Sequence, residues 1–390
     1  MTILFLAPTY KPAYVYGGVT VVTSLLAESL VKAGHEVTVY TTNGNGSTEL
    51  DVNTGEEVLI NGVKVFYFKR FSRGHSHLSP AFWAKIFTNA RNFDVVHLHS
   101  WWNPAIVIAA VLCKLRGIRP VLSPHGMFCD YILYTNNKCT KQLLHFIAGK
   151  SLLRNSFLHV SSEMEWTESQ LYLKEKWPGC VIPNLVESAF QEKRSNKGQE
   201  GALVIGFLSR IDPKKRLDLL ICALGSVQFP FKLKIAGDGQ QEYLQYLKVL
   251  SEEYGISDRV EWVGWQDNSQ KYDFYRSLDI FALLSHNENF GVVVLEALSV
   301  GTPVLLSEEV GLSKYVREKQ LGWVTGNSDL GQVMQTLELL ADQTEQRLRI
   351  QQDAPRFIAR DFNAKTLTDR YIEFYNSVYQ KSMLSSEVSV

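Results

Sequence analysis

Short β-branched segments alternate with helix-like segments along the first half of the chain. The strand-like segments are residues 3–7, 37–41, 63–68, 94–98, 121–123, 157–161 and 181–182. Strands separated by helical patterns indicate βαβ units, in which parallel strands form one sheet with helices on its faces. Seven such strands are enough for a complete domain. The alternation therefore predicts an α/β domain built on a parallel sheet.

A second series of the same kind fills the other half. Its strand-like segments are residues 204–208, 232–236, 260–263, 280–284, 304–307 and 323–324, and residues 330–342 and 350–379 have helical patterns. A chain of 390 residues exceeds what one hydrophobic core normally serves, so two domains are expected. Between the two series, residues 187–201 are polar and lack periodicity, which is typical of a linker.

Composition excludes several classes of protein. Apolar residues make up 45% of the chain and charged residues 21%, as in an ordinary folded protein, and the formal net charge of zero argues against nucleic-acid binding. The five cysteines are scattered without a CxxC spacing, so we expect reduced thiols in a cytosolic compartment and no zinc site. The N-terminal apolar run is too short for a signal peptide, and residues 105–113 are about half of a membrane-spanning helix. Any membrane contact would be peripheral.

The stretch from residue 284 to 303, LSHNENFGVVVLEALSVGTP, joins a strand, a polar loop and a helix start. A helix beginning near Gly291 leaves the amides of Gly291, Val292 and Val293 without intrahelical partners, and its dipole favours an anion there. Glu288 and Glu296, eight residues apart, flank that place. The spacing suits a ligand with hydroxyl groups on both sides of a phosphate, such as a nucleotide sugar. The alternative from spacing alone is an amphipathic helix with solvated glutamates.

Other polar residues follow predicted strands, where ligands bind in open α/β sheets. Arg210 and Lys215 lie in SRIDPKKRLDLL and can converge on one anion, unless this is a solvated basic loop. His125 follows a strand in SPHG, as His97 and His99 follow the preceding one. We see no acidic third ligand near these histidines, so we predict no metal site.

Gly17 and Gly18 precede a helical pattern and allow close approach of backbone to a ligand. Their distance from the first strand is too long for the dinucleotide fingerprint G-x-G-x-x-G, which argues against a NAD enzyme. The alternative is that they only end a surface loop.

The Glu288-x7-Glu296 pattern, with Asn289-Phe290-Gly291 inside it and a closing Gly-Thr-Pro, resembles the signature of retaining glycosyltransferases of family 4. The resemblance implies an α/β GT-B fold, with two Rossmann-like doubly wound parallel-sheet domains facing an interdomain cleft. The domains implied are an acceptor-binding domain (1–186), a linker (187–201), a nucleotide-sugar-binding domain (202–365), a helix crossing back to the first domain (366–381) and a disordered tail (382–390).

The resemblance also implies roles for residues. Glu288 and His125 would contact the transferred sugar, while Arg210 and Lys215 would neutralise the departing diphosphate. The donor-binding residues implied are Gly17, Gly18, Asn184, Gly264, Trp265, Asn289, Phe290, Gly291, Val292 and Glu296, the last of these on the ribose. The chain departs from the family at Leu185 and Arg216, where Gly is usual.

By this resemblance the chain is a retaining hexosyltransferase, and the absence of an Asp-x-Asp motif argues against a required metal or cofactor. UDP-glucose is the first candidate donor. The alternatives are a GDP-mannose-dependent mannosyltransferase and a nucleotide-sugar-binding protein that transfers nothing. The expected acceptor is a glycan or lipid-linked glycan in cell-surface or exopolysaccharide synthesis, at the cytoplasmic face of the membrane. The aromatic residues that suit a lipid-linked acceptor, unless they are core, are Phe82, Trp83, Phe87, Trp101, Trp102, Phe128, Tyr131 and Tyr134.

Overall fold

The chain folds into two compact units, Met1–Leu185 with Ala364–Val390, and Val186–Asn363. The structure, a computed structural model, describes residues 1–72, 76–134, 141–143, 145–186, 201–267, 269–326 and 329–387. Most of the predicted linker, residues 187–200, lies outside the described residues.

The first unit contains an eight-stranded sheet with the order β10-β9-β8-β7-β1-β2-β6-β5 and a separate pair, β3 and β4. The strands are β1 (Thr2–Leu6), β2 (Glu36–Thr42), β3 (Gly44–Asn45), β4 (Thr48–Glu49), β5 (Glu57–Ile60), β6 (Val63–Phe68), β7 (Val95–His99), β8 (Val121–Ser123), β9 (Phe157–Val160) and β10 (Gly179–Val181). All neighbours in the large sheet are parallel except β5 and β6. The seven predicted strands are all present.

The antiparallel strand β5 was not predicted. It is joined to β6 by a two-residue turn, Asn61-Gly62, whose φ angles are 49° and 83°. Both values lie in the left-handed region required by a type I′ hairpin turn, for which Asn-Gly is the preferred pair. The sequence therefore contained a local signal for this hairpin.

Helices cover the sheet of the first unit. In chain order they are α1 (Gly18–Lys32), α2 (Pro80–Asn89), α3 (Pro104–Leu115), α4 (Asp130–Tyr134), α5 (Lys150–Arg154) and α6 (Glu163–Leu173). Ser79 and Asn103 cap α2 and α3 through their side chains, and in both helices a proline follows at the first position. The core between sheet and helices contains fully buried aliphatic side chains such as Leu4 and Leu122.

The second unit has a six-stranded, wholly parallel sheet with the order β13-β12-β11-β14-β15-β16. Its strands are β11 (Leu203–Leu208), β12 (Phe231–Ala236), β13 (Val260–Gly264), β14 (Ile280–Leu283), β15 (Val304–Ser307) and β16 (Gly322–Thr325). Its helices are α7 (Leu217–Leu224), α8 (Gln241–Glu253), α9 (Lys271–Arg276), α10 (Val292–Ser299), α11 (Ser313–Lys319), α12 (Leu330–Asp342) and α13 (Thr344–Asp361). This strand order is that of a Rossmann fold. The prediction of an α/β protein with two parallel-sheet domains is confirmed.

The C-terminal helical region differs from the prediction. A single helical segment was expected over residues 350–379, but α13 ends at Asp361 and a second helix, α14 (Ala364–Glu387), follows. Helix α14 belongs to the first unit and packs against α1. It continues to Glu387, into the segment predicted as a disordered tail.

Three further observations apply to the described residues alone. None of their helices is both long enough and apolar enough to cross a membrane. The four described cysteines, Cys113, Cys129, Cys180 and Cys222, are free thiols. No group of three histidine, cysteine or acidic side chains is arranged to hold a metal ion.

Candidate functional site

The chain order of each sheet reverses at one place, and the candidate residues follow the strands on either side of it. In the second unit the reversal lies between β11 and β14, which are hydrogen-bonded neighbours. In the first unit it lies between β1 and β7. Ligands of open α/β sheets bind beyond the carboxyl ends of the strands at such a reversal. The topology thus gives one candidate location in each unit.

Lys215 and Glu288 form an ion pair beyond the carboxyl ends of β11 and β14. The Lys215 Nζ contacts the Glu288 Oε2, and the two side chains are 14% and 21% exposed. Backbone hydrogen bonds fix the Glu288 loop, because the Glu288 amide donates to the Glu309 carbonyl over 2.9 Å and the Gly311 amide donates to the Glu288 carbonyl over 2.8 Å. Two of the residues predicted to be catalytic are therefore in direct contact.

The pKa of Glu288 lies below its ordinary value. Burial raises this pKa, but the charge of Lys215 and the hydrogen bond from its ammonium lower it, and the charges of Lys214 and Arg210 add to the lowering. The carboxylate is therefore ionised at neutral pH. An ionised carboxylate accepts hydrogen bonds from hydroxyl groups and donates none.

Arg210 is exposed and lies in the loop that begins after β11. The loop continues as a tight turn, in which the Lys214 amide donates to Asp212 Oδ1 over 3.0 Å. Arg216 ends this turn with a φ of 52°. Glycine adopts such a left-handed conformation at little cost, which explains in physical terms why the family usually has Gly at this position.

Helix α10 begins at the predicted place, with Gly291 as its N-cap. Gly291 has a φ of 86°, and a Cβ added there would lie 3.2 Å from Val310 Cγ1, so this position requires glycine. No acceptor among the described residues receives a hydrogen bond from the amides of Gly291, Val292 or Val293. These amides stand at the positive end of the helix dipole, where an anion is stabilised.

The residues around the start of α10 differ in which of their atoms a ligand can contact. The Phe290 ring is buried and packs edge-on against Phe362 with 6.3 Å between centroids, so only the backbone of Phe290 can contact a donor. Asn289 and Val292 are partly buried and remain candidates for donor contacts.

Both carboxylate oxygens of Glu296 are hydrogen-bonded. The Lys271 Nζ donates to Oε1 over 2.7 Å, and the Tyr275 hydroxyl donates to Oε2 over 3.0 Å. Lys271 and Tyr275 are one turn apart on α9 and therefore project from the same face. Sequence reasoning missed both, because α9 and α10 are brought together only by the packing of the second unit.

Gly264 and Trp265 lie at the end of β13, which is an edge strand of the sheet of the second unit. Gly264 has a φ of 79°, and no heavy atom lies within 4 Å of the place where its Cβ would be. Trp265 is 64% exposed, so its indole is available to stack on a planar ligand.

Gly17 and Gly18 stand at the start of α1 in the first unit. Gly17 has a φ of 75°, and no heavy atom lies within 4 Å of a Cβ added at either glycine. The space beside these two residues is open to a ligand. This agrees with the predicted close approach of backbone to ligand, which stays a prediction.

His125 follows β8 with a φ of 53°, an uncommon conformation for a residue other than glycine. Its Nε2 lies 3.2 Å from His99 Nδ1, and the Thr23 Oγ1 of α1 lies 3.3 Å from that same His99 atom. Burial, and then the charge of His159, lowers the pKa of His125 to about 3. His125 is therefore a neutral imidazole at physiological pH.

A chain of buried hydrogen bonds runs beside His125, and its direction can be deduced. The Ile182 carbonyl can only accept, so His159 Nε2 donates to it over 3.1 Å. His159 Nδ1 then accepts from Ser123 Oγ over 2.6 Å, and Ser123 Oγ accepts from His97 Nε2 over 2.7 Å. His97 Nδ1 therefore accepts from the Tyr375 hydroxyl of α14 over 2.7 Å. Neutral rings satisfy every step of this chain.

Asn184 and Leu185 are buried and line a small cavity together with His99, His125 and Tyr371. The structure thus brings the predicted Asn184 together with the predicted His125. The side chain of Leu185, which replaces the Gly usual in the family, fills part of this space.

Glu165 supports the His125 loop and was not recognised in the sequence. Its Oε1 accepts from the Gly126 amide over 2.6 Å, and its Oε2 accepts from the Ser161 amide over 2.9 Å. The Ser162-x-x-Glu165 spacing at the start of α6 is that of a capping box. That signal identifies the helix start, but it gives no indication that Glu165 reaches the loop after β8.

The predicted acceptor-binding aromatic residues are mostly core. Phe82, Trp101 and Phe128 are buried in the core of the first unit. Phe82, Trp83 and Phe87 lie in helix α2 and not in a loop. Tyr134 is exposed.

Solved structures of other proteins share this fold. Over 98% of this chain and 100% of the other, the structure is similar to sucrose-phosphate synthase from Thermosynechococcus elongatus, with a TM-score of 0.79 and 16% identity. It is also similar to Anabaena HepE in complex with UDP and glucose, with a TM-score of 0.73, 19% identity and coverage of 97% and 100%. The chain has the GT-B fold.

Sequence comparisons match each half of the chain to a glycosyltransferase model. Residues 16–189 match the model of Glycosyltransferase Family 4, and residues 189–357 match that of Glycosyl transferases group 1. A curated relative, the alpha-monoglucosyldiacylglycerol synthase of Streptococcus pneumoniae, is 29% identical over 384 residues, which are 89% of this chain and 81% of that protein. Together with the GT-B fold, these matches support a glycosyltransferase of group 1.

Proposed function

We propose that the chain is a retaining, metal-independent hexosyltransferase that moves a sugar, with glucose from UDP-glucose as the first candidate, to a glycan or lipid-linked acceptor in cell-surface or exopolysaccharide synthesis. The observation that carries the proposal is the ion pair of Lys215 and Glu288 beyond β11 and β14, beside the unpartnered amides at the start of α10.

The donor diphosphate is assigned to the cations and amides of the second unit. Lys215 supplies an ammonium, Arg210 an exposed guanidinium on the same loop, and α10 the positive end of its dipole. Fixed groups of this kind stabilise the charge that develops on a departing phosphate. Because these protein cations supply the charge, the proposal requires no divalent metal.

The transferred sugar is assigned to Glu288 and His125. Glu288 is an ionised hydrogen-bond acceptor held rigidly by the backbone of its loop. His125 is neutral, so it can contact a sugar hydroxyl without adding positive charge. Because His125 is not a carboxylate, this pair differs from the two facing carboxylates of retaining glycosidases. Front-face transfer with retention, in which the departing phosphate helps to deprotonate the acceptor hydroxyl, fits these roles.

The ion pair also bears on donor binding, because Lys215 and Glu288 are charge partners of each other. A donor that brings phosphate to Lys215 and sugar hydroxyls to Glu288 supplies new partners to both charges at once. Neither charge is then left unpaired in a site that is mostly shielded from water, where an unpaired charge is costly.

Two comparisons support the choice of the donor and acceptor to test first. The crystal structure of HepE holds UDP and glucose, which supports UDP-glucose as the first candidate to test. The name of the Streptococcus pneumoniae relative indicates a diacylglycerol-based lipid, which supports a lipid-linked acceptor and peripheral contact with the cytoplasmic face of the membrane.

The experiment is a calorimetric titration of UDP, GDP and their glucose and mannose conjugates, with EDTA present throughout. Lys215→Met and Arg210→Met should each weaken diphosphate binding by about 10- to 100-fold, because each removes a charge-assisted contact to phosphate. Lys314→Met, in an exposed pair with Glu318, is the matched control and should change nothing.

The result identifies the donor as well as testing the site. Tight binding of one nucleotide family, insensitive to EDTA and weakened by both substitutions, supports the proposal and identifies the nucleobase of the donor. Absence of binding by every nucleotide, or binding that Lys215→Met and Arg210→Met leave unchanged, contradicts it. A measured release of nucleoside diphosphate from the sugar conjugate that binds separates a transferase from a protein that only binds.

A further inference from the structure

We infer that Lys271 is a positioning residue for the ribose of the donor, because it holds Glu296 in the orientation that accepts the two ribose hydroxyls. The inference rests on the proposed function, together with the ribose-binding role that the family resemblance implies for Glu296. It adds a residue of α9 that neither the sequence pattern nor the comparisons assign.

The geometry shows a carboxylate fixed from one side by two donors. Lys271 and Glu296 form a 2.7 Å ion pair and are only 11% and 10% exposed. Tyr275, fully buried on the same face of α9, donates to the other carboxylate oxygen over 3.0 Å. Each donor therefore determines the position of one oxygen, and together they fix the plane of the carboxylate.

Both donors are themselves held in place. The Thr302 Oγ1, in the turn after α10, donates to the Tyr275 carbonyl over 2.7 Å. The Tyr275 ring packs edge-on against Phe281 of β14 with 5.3 Å between centroids. The Lys271 ammonium lies 5.0 Å from the centroid of the Tyr272 ring, a cation–π distance. The arrangement is thus anchored to the sheet through Phe281 and to the turn after α10 through Thr302.

The carboxylate retains capacity for a ligand. An ionised carboxylate has about four acceptor positions, two on each oxygen. Lys271 and Tyr275 occupy one position on each oxygen, so one remains on each. The adjacent 2′- and 3′-hydroxyls of a ribose are two donors a short distance apart, which matches two free acceptor positions on one rigid carboxylate. A ligand without these hydroxyls has no hydrogen-bond donor for the two free acceptor positions.

Lys271 has a second consequence for an anionic ligand. Glu296 lies on the helix whose first amides are assigned to the diphosphate. An unpaired carboxylate in that helix would repel a diphosphate at its start, since charges in poorly hydrated surroundings interact strongly. The ammonium of Lys271 neutralises this carboxylate without occupying its ligand-facing positions.

The test compares ribonucleotides with nucleotides that lack both hydroxyls. Binding of UDP and 2′,3′-dideoxy-UDP, and of GDP and 2′,3′-dideoxy-GDP, is measured by calorimetry on the wild type and on Lys271→Met. The wild type should prefer the ribonucleotide by at least about tenfold, the usual worth of a hydrogen bond to a charged group. In Lys271→Met this preference should fall to about threefold or less, mainly through weaker binding of the ribonucleotide.

Two further variants separate positioning from general damage. Lys271→Arg keeps a cation at the site and should restore most of the preference, whereas Tyr275→Phe should reduce it in part because it frees one oxygen. Glu296→Gln should abolish it. Thermal unfolding of each variant identifies any that are too unstable to bind.

Three binding results would overturn the inference, each in a different way. An unchanged ribose preference in Lys271→Met, or an equal loss for both nucleotides of a pair, overturns the inference and leaves Lys271 as a clamp between α9 and α10. A wild type that binds both nucleotides of a pair equally overturns it while leaving the donor site intact. A wild type that binds no nucleotide at all overturns the proposed function as well.

Discussion

Two buried polar clusters, one in each unit, are satisfied by opposite means. In the first unit, the chain from Tyr375 through His97, Ser123 and His159 consists of neutral groups, each donating in one direction. In the second unit, Glu288 and Glu296 are charged, and each faces an ammonium. Adding a proton to a neutral chain disrupts its hydrogen bonds, whereas removing one partner of an ion pair leaves the other charge buried and unpaired. The two units should therefore respond differently to pH and to substitution.

The largest expected difference is in the response to acid. Burial lowers the pKa of His159 to about 4 despite the opposing hydrogen bond to the Ile182 carbonyl, and burial also lowers the pKa of His97 well below its ordinary value. An unfolded histidine titrates near 6.5, so between pH 6.5 and about 4 the unfolded chain binds more protons than the folded one. The first unit should be fully stable above pH 6.5 and lose about 3 kcal/mol through His159 alone as the pH falls toward 4.

The second unit should be insensitive over most of this range. Its one histidine, His286, is exposed. The lowered pKa of Glu288 contributes stability that is present above the ordinary carboxyl value and is lost only as the pH falls below it. Urea unfolding of the full chain at several pH values, followed unit by unit with pulsed hydrogen exchange and mass spectrometry, measures the two responses. A parallel loss of stability in both units between pH 6.5 and 5 would contradict the comparison.

A smaller effect is expected from breaking one end of the neutral chain. Tyr375→Phe removes the donor to His97 Nδ1 and leaves that buried nitrogen unsatisfied, which should cost about 1–2 kcal/mol of unfolding free energy. Tyr371→Phe is the matched control, because Tyr371 is also buried on α14 but its hydroxyl makes no hydrogen bond that the structure shows among the described residues. Equal losses in the two variants, measured by denaturant unfolding, would show that the hydrogen bond between Tyr375 and His97 adds nothing to the stability of the first unit.

The smallest effect is expected where charges are paired in water. Arg317 and Glu308 form a 2.7 Å ion pair in the second unit, with side chains 60% and 59% exposed. Arg317→Met should change the unfolding free energy by no more than about 0.5 kcal/mol, since exposed pairs contribute little. The same denaturant measurement checks this, and a loss as large as that of Tyr375→Phe would mean that burial is not what distinguishes the pairs at Glu288 and Glu296.

Much of the architecture could be read from the sequence because it is locally encoded. Buried parallel strands are continuous β-branched runs, so each predicted strand corresponds to an observed one. The antiparallel β5 was missed although two signals are present, the apolar run of residues 58–60 and the hairpin pair Asn61-Gly62. The break between α13 and α14 carries neither Pro nor Gly, and it arises where the chain passes from one unit to the other.

The candidate site also contains features that are encoded locally and contacts that are not. The Gly291 start of α10 and the loop around Lys215 are determined by neighbours in sequence, so their form could be predicted. The partners of Glu296 and of the His125 loop could not, because Lys271 and Glu165 come from distant segments. Nothing in the spacing of residues indicates which side chains the packing of helices on a sheet will bring within hydrogen-bond distance.

The short strand β5 also has a consequence for the behaviour of the protein in concentrated solution. A parallel sheet that ended at β6 would present a row of free backbone groups to other chains, and such edges promote aggregation. The hairpin places a four-residue strand there, beginning with Glu57 and running antiparallel to the rest. A second molecule can add to this edge only along a short, partly charged segment, so the turn at Asn61-Gly62 protects the sheet from growing beyond its own chain.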